Sequence, residues 1–77
     1  MESKVIQAMM AFNSSQFSAL HRQVSIDEGR FEDAMTYHFF FKMYIDEYFE
    51  IKKSMTQEER NHLMMARTCL DYTELYN

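Results

Sequence analysis

Phe31-Glu32-Asp33-Ala34-Met35-Thr36-Tyr37-His38-Phe39-Phe40-Phe41-Lys42-Met43-Tyr44-Ile45-Asp46-Glu47-Tyr48-Phe49 holds eight of the chain's twelve aromatic residues, which comprise seven Phe and five Tyr. Proline is absent and a single glycine, Gly29, stands among all 77 residues, so almost nothing interrupts helix formation. Turned through about 100° per residue, Phe31, Ala34, His38, Phe41, Ile45, Tyr48 and Phe49 gather on one side of a helix, with Tyr37, Phe40, Tyr44 and Ile51 on its shoulder. That face is too wide for one neighbouring helix and suits two, so the segment is expected to be the middle helix of a bundle. Phe39 and Met43 fall instead beside Glu32, Asp46 and Glu50, the side that should meet water.

Working outward, Val5, Ile6, Met9, Met10, Phe17, Leu20 and Val24 recur at spacings of three and four and predict an amphipathic first helix with this stripe as its core face. Asn13, Ser14 and Ser15 are candidates to break or kink it, although the stripe continues through them in register. Two readings compete around Ser25 to Gly29. Either Ser25 caps a new helix with Glu28 closing the box, or the first helix ends at Gly29 in the left-handed conformation. Thr56-Gln57-Glu58-Glu59 is a capping box that opens a third helix, in which Leu63, Ala66, Cys69, Leu70, Thr73 and Tyr76 share a face. The helices are expected at about 3–24, 31–53 and 57–75. No segment alternates with the period of a strand.

Gly29-Arg30-Phe31-Glu32-Asp33-Ala34 resembles the turn between the two helices of a tetratricopeptide repeat. The preceding residues do not continue the match and no repeat period recurs, so the resemblance implies no function for this chain.

A chain of this length makes one domain, and a domain so small buries only about 60% of its unfolded surface. Self-association would add to that burial, and a homodimer is expected. The net charge of −4 and eight basic residues, with no run longer than Lys52-Lys53, oppose a nucleic-acid binder, which needs a concentrated basic face. One cysteine cannot form an internal disulfide, and a reducing cytoplasm is the expected compartment. Gln7 interrupts the apolar run from Val5 to Phe12, so no secretory leader is expected. Glu32, Asp33, Lys42, Asp46 and Glu47 exclude the aromatic segment as a membrane span.

Chemistry finds little support. Glu59-x-x-His62 has the spacing of half a carboxylate-bridged metal site, but the chain carries one such pair, and completing a site would take a dimer with Glu47 or Glu50 as added ligands. Cys69 lies on the expected core face, where nothing lowers its pKa. His38, on the aromatic face, reads as a packed histidine before it reads as a pH sensor. A single glycine leaves no phosphate-binding loop, and no cofactor is expected. Lys52, Lys53, Arg60 and Arg67 bracket the second turn and offer a small basic patch for a nucleic-acid-associated regulator.

The sequence therefore predicts an all-α, three-helix domain that dimerises into a helical bundle and acts without catalysis on another protein as a regulator, inhibitor or adaptor. The expected contact residues are Phe39, Met43, Tyr44, Phe40, Met64 and Leu75. Aromatic and Met side chains are enriched at interface centres with charge at the rim, although two exposed apolar residues of the ordinary kind are the alternative for Phe39 and Met43. The eight methionines suit core gaps and adaptable surfaces alike.

Overall fold

The computed structural model describes residues 3–76, with side-chain surroundings for residues 3–68. It is an all-α, three-helix domain: α1 (Lys4–Asp27), α2 (Phe31–Lys53) and α3 (Gln57–Tyr76). The Ser3 side chain caps α1 by accepting the Ile6 N–H at 3.1 Å. The helix then runs unbroken through Asn13, Ser14 and Ser15. Ser15 turns its hydroxyl back onto its own helix, donating to the Phe12 carbonyl at 2.6 Å, which satisfies the group without opening the chain.

Gly29 decides where α1 stops. Its φ of +75° is the left-handed conformation a side chain disfavours. The Arg30 N–H reaches back to the Ser25 carbonyl at 2.8 Å and the Gly29 N–H to the Ile26 carbonyl at 3.0 Å, the paired bonds of a Schellman turn. The helix thus ends three residues beyond its apolar stripe, and Ser25 lies inside it instead of capping a successor. Glu32 and Asp33 occupy the first turn of α2, and Lys52 and Lys53 its last, complementing the helix dipole at both ends. The capping box at Thr56 forms as expected. The Thr56 hydroxyl accepts the Glu59 N–H at 3.2 Å, and the Glu59 carboxylate accepts the Thr56 N–H at 2.9 Å.

The packing of α1 overturns the expected core face. Ala8, Ala11, Ser15, Ser18 and Ser25 are the buried residues of this helix, a stripe of small side chains laid against the bulky α2. Of the predicted stripe only Val5 and Met9 pack partly against the core, while the others face away: Phe17 is 62% and Leu20 61% exposed, and Ile6, Met10 and Val24 are also exposed. Only small residues let a second helix come close enough to seat Tyr48 and its neighbours, so size chose the face where hydrophobicity pointed elsewhere. On α2 the correction is smaller. Ala34 and Tyr48 are buried and Tyr37, Phe41, Tyr44, Ile45 and Ile51 partly so, whereas Phe31, His38 and Phe49, placed on the core side by periodicity, are exposed.

The core gathers at the end away from Gly29. Ala8, Ala11, Tyr48, Met55 and Leu63 form its buried centre, with Val5, Met9, Phe12, Ile45 and Ile51 packed around them. Through Leu63 and Met55 this cluster attaches α3, which leans chiefly on α1. Arg67 clamps the junction, its guanidinium 4.3 Å from the Phe12 ring centre and its Nη1 donating to the Tyr48 hydroxyl at 3.3 Å. Lys4 Nζ adds a bond to the Ser54 carbonyl at 2.9 Å.

Two stability predictions arise here. Ser25 is fully buried and its hydroxyl has no hydrogen-bond partner. Replacing it with alanine removes an orphaned polar atom and improves helix propensity, so Ser25→Ala should stabilise the domain by about 1 kcal/mol in urea unfolding. A loss of similar size would show that the hydroxyl is engaged. Thr56→Ala should cost about 1 kcal/mol through loss of the cap.

Candidate interaction surface

The α1–α2 hairpin has an open side to which none of the described α3 side chains contributes. There α1 contributes Asn13, Ser14, Phe17 and Ser18, and α2 contributes Tyr37, Phe40 and Tyr44, to a groove of about 460 Å³ with mostly apolar walls. It continues toward Met10, Ala11 and Glu47. Rings line one end: His21 sits between Phe17, at 4.2 Å between ring centres, and Tyr37, at 5.2 Å. This aromatic ladder holds Phe17 at the groove wall, although most of its surface meets water.

Of the residues singled out from the sequence, Phe40 and Tyr44 line this groove. Phe39 is 66% and Met43 43% exposed, on the acid-bearing side of α2 as periodicity required. Phe39 touches Phe40 edge-on, with ring centres 6.1 Å apart, so the outer face and the groove are continuous. Met64 is exposed on α3 but is not among the groove residues, while Leu75 and Cys69 lie outside the residues whose side chains are described. Phe17 and Met10 are contact candidates that the sequence reading assigned to the core. Their signal was present in the small-residue stripe on the other side of α1, which left the large residues without a place inside.

The four cations near the second turn are engaged within the chain. Lys53 pairs with Glu50 at 3.1 Å, Arg60 Nε donates to the Lys52 carbonyl at 3.3 Å, Lys52 lies 5.7 Å from the Tyr48 ring centre, and Arg67 bridges Phe12 and Tyr48. At the other end Arg22 donates to His38 Nδ1 at 2.8 Å and stacks 4.9 Å from Phe41, beside a second apolar recess lined by Ile26, Phe31 and Met35.

Glu59 serves the helix cap. The hydrogen bond from the Thr56 backbone N–H holds its carboxyl below the ordinary glutamate value. The Thr56 side chain and the nearby Lys4 and His62 act in the same direction, against a partial loss of hydration. A lowered carboxyl pKa in the folded state stabilises above the unfolded value of about 4.3, and that contribution disappears as pH falls through the lower folded value. Among the described residues no three His, Cys, Asp or Glu side chains converge as a ligand set. None of the described helices is long and apolar enough to cross a membrane. The chain matches no known protein family, no curated protein and no solved structure.

Proposed function

We propose that this chain is a non-catalytic protein–protein interaction module, a cytoplasmic regulator, inhibitor or adaptor that pairs with itself and presents apolar helix faces to another protein. One observation carries the reading. Among the described residues three large apolar side chains, Tyr48, Met55 and Leu63, are buried, whereas fourteen are exposed. Scattered exposed hydrophobes are ordinary, but a surplus of this size, spread over all three helices, is characteristic of surfaces that another chain covers. The shape agrees: the radius of gyration is 14.4 Å, against about 11.5 Å for a compact domain of this length.

Phe39 and Met43 form the centre of the proposed partner contact. Glu32, Asp46 and Glu50 supply a charged rim, and Phe40 and Tyr44 lead into the groove. Phe39→Glu and Met43→Glu should each reduce capture of partner protein from native extract at least tenfold, while leaving unfolding free energy within about 0.5 kcal/mol of wild type. Undiminished capture by both variants would remove this face from the function.

A further inference from the structure

We infer that a second copy of this chain packs along the outer face of α1, through a seam made by Ile6, Met10, Asn13, Phe17, Leu20 and Val24. The inference rests on the interaction-module reading and assigns the self-pairing to the outer face of α1, which borders the groove at Met10, Asn13 and Phe17 and lies apart from Phe39 and Met43. These six positions follow one another at intervals of four, three, four, three and four residues, the repeat that lets two helices interlock in a shallow left-handed supercoil. They lie roughly 150° around the helix from the small stripe that meets α2. α1 therefore carries two seams, and its own chain fills only the one made of Ala and Ser.

The charge pattern favours a second copy as the occupant. From Val5 to Leu20 there is no Asp, Glu, Lys or Arg, although the outer side of this stretch faces water in a single copy. The positions that flank such a seam and usually select a partner by charge are here Gln7, Met9, Ser14, Gln16, His21 and Gln23. They offer no opposite charge for a foreign helix to answer and no like charge to repel an identical one. In a chain of net charge −4, this face brings two copies together without setting acid against acid. The outer face of α2, with Glu32, Asp46 and Glu50, would set acid against acid. Asn13, the polar member of the seam, would find its hydrogen-bonding match in the same residue of a second copy. Nor does the seam suit an anionic membrane surface, which calls for Lys and Arg beside the apolar face.

The apolar seam supplies most of the area a dimer needs. The five apolar seam residues, at about 200 Å² each and roughly half exposed, present on the order of 500 Å² per copy. One side of a stable interface contributes about 800 Å², of which these residues make up the larger part.

Sedimentation equilibrium of the full chain should return a dimer. Phe17→Glu and Leu20→Glu should each weaken it by about a thousand-fold, because every substitution enters the pair twice, with helical circular dichroism unchanged. Phe39→Glu should leave the dimer intact. Should a glutamate variant lose helicity, Met10→Gln with Leu20→Gln is measured against the same criterion. A dimer that survives the α1 variants but dissolves with Phe39→Glu overturns this inference and leaves the module reading standing. A wild type that stays monomeric overturns it too, including where α1 variants instead lose binding to a different protein or to lipid vesicles. The capture experiment with Phe39→Glu then judges the module reading separately.

Discussion

Tyr48→Ala should remove about 3–5 kcal/mol of stability, the usual cost of emptying a buried aromatic site. Tyr48 is 3% exposed and joins all three helices. Its ring lies 5.4 Å from Phe12 of α1 and 5.3 Å from Phe49 of α2, and its hydroxyl accepts from Arg67 of α3. A domain of this length has a total stability of roughly 4–12 kcal/mol, so the substitution takes a large share and leaves a substantial unfolded population at room temperature in the weaker half of that range. Tyr48→Phe is the matched control. It keeps the ring and gives up one long hydrogen bond, for about 1 kcal/mol. Urea titration followed by helical circular dichroism measures both, and a Tyr48→Ala variant within 1 kcal/mol of wild type would show that the core does not centre on this ring.

Ser15→Leu should destabilise by about 1–3 kcal/mol or more, even though it replaces a polar residue with a favoured helix former. Ser15 is fully buried on the face of α1 that meets α2, and an isobutyl group there must push the helices apart or displace α2 side chains. The change also removes the bond to the Phe12 carbonyl. By contrast Leu20→Gln, measured in dilute monomer, should stay within about 0.5 kcal/mol of wild type. If hydrophobicity alone decided the packing, the order would reverse: leucine at 15 would stabilise and loss of Leu20 would unfold. The two variants measured together therefore separate a seam of small residues from a seam of large ones.

The helices were legible because their punctuation is local. Gly29, the Thr56 capping box and the absence of proline act within a few residues, and the bounds fall within three residues of expectation. The exposure of Phe39 and Met43 was legible for a related reason, since Glu32, Asp46 and Glu50 lie on the same side and mark it as solvent. The facing of α1 was not. Its large apolar residues and its Ala and Ser residues both recur at helical spacing, and only the bulk of α2 decides between them. Size complementarity belongs to a pair of helices and cannot be read from either alone. With α1 turned over, Phe17 moves from expected core to groove wall, and the groove itself becomes visible. Phe31 and Phe49 were misplaced by the same interdependence, because an α2 with aromatic rings on most sides does not announce which of them its neighbour will cover.

The least extent of the molecule, 19 Å, has thermodynamic consequences. A slab about two helices thick keeps nearly every side chain within one helix diameter, about 10 Å, of solvent. Unfolding a single copy then hydrates little new hydrocarbon, so its heat-capacity increment and its urea slope both fall below the averages for its length, of which the first is about 12–15 cal/mol/K per residue. Melting of the isolated chain should accordingly be broad in calorimetry and its stability curve flat across temperature. Each apolar face that finds a cover sharpens the transition and steepens that curve.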